Sequence, residues 1–367
     1  MVAVIAIAAS ASTAGTVAAT SPVNWGKLDP ALRTAMQSRP GAVYPVIVEV
    51  GLPSDRAAAS TGASRAAAST GASRAVDALK RLDAAHGRAK NRLAIIGAGT
   101  GDAKWETVAT LSRDPRVRQI SLDRRIGAAG SGTSLASVYT QLVRAPDVWA
   151  LGYNGRGVGV AVIDSGVFAS NDLGSRLVAC VDLVAPTITD CRADPGGHGS
   201  HVAGIIAGNG TDSASNAGGA YKGIAPGANI ISVRIIDGTG SASLSSIIRG
   251  IEWVVQNRKT YNIRVMNLSF GATALASYKS DPMVTATEIA WLSGVVVVSA
   301  AGNTGPGVGT INTPAIDPYG IAVGALDDNM TLYTSDDSVA PFSSRGPTID
   351  NFTKPDLVAP GRRLISL

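Results

Sequence analysis

Short apolar runs alternate with stretches of helical character through the second half of the chain, and that alternation limits the possible folds more than any other feature. The runs are VGVAVID (Val158 to Asp164), NIISVRII (Asn229 to Ile236), VMNLSF (Val265 to Phe270), VVVVSAAG (Val295 to Gly302) and GIAVGAL (Gly320 to Leu326). Between them the pattern predicts helices from His198, from about Ser243 to Arg258, and from about Pro282. Strands that are apolar without alternation are buried on both faces, and strand-helix repeats join them through right-handed crossovers. The expectation is an α/β fold with a mainly parallel sheet flanked by helices. Functional groups on such sheets sit at the carboxyl ends of strands, so the residues just beyond each run hold the most interest.

The first part of the chain reads differently. From Tyr44 to about Arg125 the pattern is strand, helix, strand, helix, strand: Val46 to Val50, Arg74 to Leu93, Leu93 to Gly97, Trp105 to Leu111 and Val117 to Leu122. This is a small α+β unit. It contains a nine-residue tandem copy, RAAASTGAS at Arg56 to Ser64 and again at Arg65 to Ser73, too short for a solenoid repeat and read as a mobile low-complexity insertion over residues 56–73. Ile126 to Leu135 is rich in Gly and Ser, the composition of an exposed linker open to proteolysis. With 367 residues the chain suits two domains behind a short leader: a signal-like segment at 1–20, an N-terminal unit at 21–130 and a larger domain at 131–367.

Charge divides along the same line. Residues 1–130 hold 17 Lys and Arg against 9 Asp and Glu, whereas the remainder holds 15 against 18. The arginines lie in an Ala-rich helical stretch without interleaved aromatic residues, which argues against nucleic acid and for a basic unit docked on a mildly acidic one. The opening MVAVIAIAASASTAG joins an apolar run to an A-x-A pattern at Ala9 to Ala11, as in a signal peptide, although no basic residue precedes it. No other apolar run approaches a membrane span, so the expectation is a secreted protein without membrane attachment after processing. Cys180 and Cys191 fit neither a zinc framework nor a CxxC pair. They read either as a disulfide, which would stabilise by about 3 kcal/mol, or as two small buried thiols.

Three residues stand where chemistry is expected. Asp164 ends a buried strand and is followed by Ser165-Gly166, although a turn-capping Asp would look the same. His198 opens GGHGSHVAGIIAG with His201 one turn along; a metal reading lacks a carboxylate at the right helical offset and a third ligand, so metal ligands stay unassigned. Asn303 follows the strand VVVVSAAG, where an amide serves either as an oxyanion donor or as a turn residue.

Taken together, VIDSGV, HGSHVAG and VSAAGNTG in that order resemble the subtilisin-like serine proteases. Further matches are GIAPGANI from Gly223, SIIRGIEW from Ser246, NLSFG from Asn267, PFSSRGP from Pro341 and KPDLVAPG from Lys354, so that the resemblance covers nearly all of Leu142 to Gly361. It implies a secreted endopeptidase precursor that hydrolyses polypeptides, with Asp164 orienting His198, His198 acting as general base and acid, and Asn303 in the oxyanion hole. It further implies that Gly240, Ser241 and Ala242 and also Leu268, Ser269, Phe270 and Gly271 hold substrate as an extended strand, while Ala300, Ala301 and Gly302 line the pocket before the scissile bond.

Other implications concern the flanks. The N-terminal unit resembles the ferredoxin-like inhibitory pro-segment of that family, with Val117 to about Gly132 in the substrate groove of the precursor. No cofactor is required for the chemistry; structural calcium is common in the family, and Asp172 in NDLGS and the loop from Asn209 to Tyr221 are where it would be sought. The family's nucleophile stands in a GTSMA-type motif some way after KPDLVAPG, and no residue after Gly361 replaces it. Ser134 in GTSLAS is a look-alike in the linker, ahead of Asp164. The expectation is therefore a chain that is inactive as it stands, the alternative being a non-catalytic relative that binds peptides or inhibits other subtilases.

Overall fold

A computed structural model describes residues 23–51, 64–128, 138–184, 191–214 and 221–367. The signal-like segment, most of the first RAAASTGAS copy and Ser134 lie outside the described residues.

The N-terminal unit starts with helix α1 (Pro30–Ser38), capped by Asp29, whose Oδ1 accepts the Leu32 N–H at 2.7 Å, with Pro30 in the first position. There follow β1 (Tyr44–Val50), α2 (Ser64–Ala84), β2 (Arg88–Leu93), β3 (Ala98–Ala103), α3 (Trp105–Arg113) and β4 (Val117–Leu122). The strand order is β2-β3-β1-β4 and every neighbouring pair is antiparallel, the connectivity of paired split βαβ units. Alternation along β1 divides its side chains: Val46 and Val48 pack with Leu82, Val108 and Leu111 of the unit's own helices, whereas Ile47 points the other way.

Three sequence expectations are corrected here. Leu93 to Gly97 is not a strand: Leu93 ends β2, Ala94–Ile96 is a 3-10 turn, and Gly97 closes it in the left-handed region at φ +65°. The strands on either side lack the apolar signature for separate reasons: RAKNRL is a largely exposed edge strand, and AGTGDA is made of small residues because α2 lies directly on it. A Cβ at Gly99 would stand 2.6 Å from Leu79 Cδ2, and one at Gly101 only 2.2 Å from Leu82 Cδ2. The helix expected from Arg74 to Leu93 accordingly stops at Ala84. The second RAAASTGAS copy, expected to be a mobile insertion, instead forms the opening turns of α2, with buried Gly71 so close that a Cβ would lie 2.2 Å from the Ala94 carbonyl oxygen.

Beyond the first unit come β5 (Arg125–Ala128), two short helices α4 (Tyr139–Leu142) and α5 (Ala145–Ala150), then β6 (Gly159–Asp164), β7 (Leu177–Asp182), α6 (His198–Ala207), β8 (Asn229–Arg234) and β9 (Ser241–Ser243). The chain continues through α7 (Leu244–Asn257), β10 (Ile263–Leu268), β11 (Phe270–Thr273), α8 (Pro282–Leu292), β12 (Val296–Ala300), β13 (Asn312–Thr313), β14 (Ile321–Asp327), β15 (Ser338–Val339) and β16 (Leu357–Pro360). The main sheet runs β15-β14-β12-β10-β6-β8-β7 with β16 also on β14, and all pairs are parallel except the β14–β15 edge.

Both faces of this sheet are covered, which is why its inner strand β6 reads as one apolar run. Ala161 and Ile163 of β6 face a cluster with Ile247, Ile248, Ile251, Met266 and Met283, whereas Val160 and Val162 face Leu173, Ala203 and Ala207 on the α6 side. The first cluster also takes in Ile47, Leu93, Ile96 and Ala98. The second face of the N-terminal sheet is thus closed by α7 and α8. Polar contacts ring this junction: Asp123 accepts the Ser245 N–H at 2.9 Å and its hydroxyl at 2.6 Å at the start of α7, and Gln119 Nε2 donates to the Ser280 carbonyl at 2.9 Å. Cys180 and Cys191 are joined in a disulfide with Cα atoms 5.6 Å apart, tying β7 to the segment ahead of α6.

Candidate active site

Three parallel neighbours set the geometry. Val162 of β6 stands beside Asn267 of β10, and Asn267 beside Val298 of β12. The carboxyl ends of these strands, at Asp164, Leu268 and Ala300, therefore share one edge of the sheet, with neighbours about 4.8 Å apart. Asn303 lies exposed three residues past the end of β12, on that edge.

Asp164 is fully buried, and its Oδ1 accepts the Ser165 N–H at 2.7 Å and lies 2.7 Å from His198 Nδ1. A carboxylate only accepts, so the proton of this bond sits on Nδ1 and the ring presents Nε2 as a base. His198 keeps 20 % of its side chain exposed, so the imidazole is held by the carboxylate without being sealed in the core. Such an arrangement fixes tautomer and orientation and stabilises an imidazolium as it forms.

His198 is the first residue of α6, and the helix start is fixed from outside. Gly197 precedes it with φ +72° and provides no side-chain cap. Instead Ser165 Oγ accepts the Gly199 N–H at 2.9 Å, while Asp194 accepts from Gly197 N at 2.9 Å and from Ser200 N at 2.8 Å. The turn after β6 and the start of α6 touch: a Cβ on Gly199 would lie 2.1 Å from the Gly166 carbonyl oxygen. Asp194 and Ser165 carry no motif of their own; their signal in the sequence is a carboxylate four residues ahead of the histidine and a hydroxyl directly after the aspartate.

His201 lies one turn on, half-buried, with Nε2 donating to the Leu364 carbonyl at 3.2 Å. Burial pushes its pKa below the ordinary histidine value, that hydrogen bond pulls upward, and nearby His198 pushes downward again. It is a neutral packing residue at pH 7. Among the described residues no group of three His, Cys, Asp or Glu side chains is placed to hold a metal. Buried Asp172 already accepts the Asp212 N–H at 2.8 Å through Oδ1.

A second, four-stranded sheet runs alongside, in the order β13-β11-β5-β9. Its β5 comes from the end of the N-terminal unit and pairs antiparallel with strands on both sides. Arg125, Ile126 and Gly127 stand opposite Ser243, Ala242 and Ser241, and Gly127 and Ala128 opposite Gly271 and Phe270. The linker expected from Ile126 therefore begins as a paired strand. The expectation that Val117 to Leu122 also enters the groove is corrected: those residues form β4 and pair with β1.

The remaining sequence candidates divide by placement. Ser241 and Ala242 pair with β5 through their backbones, and Gly240, at φ +76°, turns the chain into β9. Phe270 and Gly271 pair with β5, whereas Leu268 ends β10 with its side chain buried in the core, and the hydroxyl of the intervening Ser269 accepts from Asn267 Nδ2 at 2.8 Å. Ala300 ends β12, and Ala301 is buried, its carbonyl accepting the Asn312 N–H at 2.8 Å. Gly302 has φ +117°, and a Cβ there would stand 2.6 Å from Asn312 and 2.7 Å from Ser344, so only glycine fits.

Comparison with known proteins agrees with this geometry. The Subtilase family (Peptidase_S8) matches residues 155–366. Serine protease AprX of Bacillus subtilis (strain 168) is 40% identical over 262 residues, covering 70% of this chain and 57% of that protein. Subtilisin E of the same organism is 34% identical over 285 residues, 75% of this chain and 64% of that protein, and subtilisin of Bacillus pumilus is 37% identical over 222 residues, 60% and 70% respectively. The chain thus spans 57% and 64% of the first two of these relatives. A buried aspartate held against a partly exposed histidine at the carboxyl edge of a parallel sheet and a family match across more than half of the chain lead to one conclusion: the chain belongs to the subtilase family.

Proposed function

We propose that the protein is a secreted serine endopeptidase of subtilisin type, made as a precursor with its own inhibitor attached. The observation that carries the reading is the 2.7 Å contact between His198 Nδ1 and the buried Asp164 carboxylate at the sheet edge. In the proposed mechanism His198 Nε2 takes the proton of a serine hydroxyl as it attacks the scissile carbonyl and returns it to the leaving amine, while Asp164 holds the ring and balances its charge. Asn303 donates its amide to the oxyanion, worth about 10²- to 10³-fold in rate.

Polypeptide substrate would lie between β9 and β11 as an added strand, in the place β5 holds in the precursor, and Ala300 to Gly302 would line the pocket beside the scissile bond. Occupation of that place by the chain's own β5 supports intramolecular inhibition by residues 21–130. The chemistry calls on no cofactor. The apolar start of the chain supports export, and among the described residues no helix is long and apolar enough to cross a membrane.

The serine that His198 would deprotonate is proposed to lie outside residues 1–367. Two proteins test this: residues 1–367, and the same protein extended through the reading frame that follows Leu367. Fluorophosphonate labelling and casein hydrolysis by the extended protein alone are the expected result. Labelling and hydrolysis by residues 1–367 would overturn the placement of the serine. A stop codon directly after Leu367, with peptide binding but no labelling, would favour a non-catalytic peptide-binding subtilase, which the strand-accepting groove would equally serve.

A further inference from the structure

Four side chains link the carboxylate at the sheet edge to the start of the histidine helix. Asp164 Oδ1 meets both His198 Nδ1 and the Ser165 N–H; Ser165 Oγ accepts the Gly199 N–H at 2.9 Å and donates to Asp194 Oδ1 at 2.7 Å. Asp194 in turn accepts from Gly197 N and Ser200 N, on either side of His198 and Gly199. Ser165 is 2 % exposed, so its hydroxyl has no alternative partner in bulk water. The helix that carries the imidazole is therefore capped not by its own N-cap, a bare glycine, but by the turn that carries the carboxylate and by a second carboxylate joined to that turn.

From this arrangement we infer that Asp194, acting through Ser165, is a positioning residue that sets the Asp164–His198 contact. The inference rests on the reading of that pair as the catalytic dyad. Asp194 touches no reacting atom in this scheme. It neutralises three donors, one of them the hydroxyl that ties β6 to α6, and its negative charge lies at the positive end of a ten-residue helix. Loss of its carboxylate frees Ser165 Oγ to rotate, lets the first turn of α6 drift from Gly166, and moves the imidazole off Asp164 Oδ1. Shifts of this size at a hydrogen-bonded pair are felt well beyond the bond itself.

The test is nitrogen-15 NMR of the three histidines in the whole 367-residue protein, which needs no nucleophile. Wild-type protein is expected to hold His198 in the Nδ1–H tautomer with a slowly exchanging Nδ1 proton. Asp194→Ala is expected to lose that signal or to speed its exchange by about tenfold, the equivalent of one lost hydrogen bond. Asp194→Asn, which keeps one acceptor oxygen, and Ser165→Ala should give smaller increases, and they carry the test should the alanine variant fail to fold. His201, whose ring bonds to Leu364, should keep its own signal throughout. An unchanged His198 signal in all three variants, even with a lowered melting temperature, would overturn the inference and leave Asp194 a mere helix cap. If Asp164→Asn left the wild-type signal unaltered, the reading of the dyad itself would fail instead.

Discussion

The antiparallel sheet of the N-terminal unit has its own helices on one face and borrows α7 and α8 to close the other, through Ile47, Ile96 and Ala98. The parallel sheet is covered on both faces by its own chain over most of its area and leaves a carboxyl edge open for side chains that do chemistry. One unit is therefore completed by docking, and the other is complete enough to be docked on. The single strand that leaves the first unit, β5, ends in the groove of the second. What the contrast teaches is a difference in what each sheet leaves open: the Asp164–His198 pair gathers at the open end of one, while the other docks through its open face.

Substitutions on the two units should separate these roles. Asp164→Asn, in the protein that carries its nucleophile, should lower kcat by about 10⁴-fold through loss of the correct tautomer; Asp29→Asn in the first unit should leave kcat of the matured enzyme unchanged. Steady-state kinetics on a peptide anilide check both. Asn303→Leu should lower kcat by about 10²- to 10³-fold with little change in KM, since its donor acts only when the oxyanion forms.

The cap can be loosened without touching the catalytic edge. Gly127 pairs with both Ser241 and Gly271, and Gly127→Pro removes its N–H from this ladder. The expected outcome is roughly ten- to a hundredfold weaker inhibition by the first unit, measured as Ki against matured enzyme, with maturation speeded accordingly. Unchanged Ki would mean that the strand is incidental to docking.

The smallest effect concerns pH. Burial raises the pKa of Asp29 to about 6, against the pull of its hydrogen bonds from Leu32 and Leu122 and of nearby Arg124. The protonated form is favoured in the folded state, so this contribution is fully present below the unfolded value near 3.8 and is lost as pH rises through about 6. The first unit should therefore be more stable at pH 5 than at pH 7 by about 1 kcal/mol, a difference that Asp29→Asn, which keeps the cap, should abolish in urea titrations.

How far the sequence could be read follows from the same contrast. The parallel strands were legible because burial on both faces leaves an apolar run with no competing pattern, as in Gly159–Asp164, where every residue is buried. Asp164 and His198, which the structure pairs, stand out because one ends such a run and the other opens a helix after a Gly-Gly turn, and Asn303 stands out only by its place just past the run Val296–Ala300. Strands β2 and β3 were not, since one is polar and the other made of small residues that admit Leu79 and Leu82, and the apolar AII beside them formed a turn. β5 was hidden for another reason. A strand of four residues within a Gly/Ser-rich stretch gains its partners only from β9 and β11, more than a hundred residues away, and no local pattern reports that.

The most direct measurement of the central claim is peptide hydrolysis by the protein extended through its nucleophile, wild type against His198→Ala. With His198 seated on Asp164 as the base, kcat should fall by about 10⁶-fold, close to what removal of a whole triad costs. Turnover that survives the loss of this imidazole would contradict the account at its root.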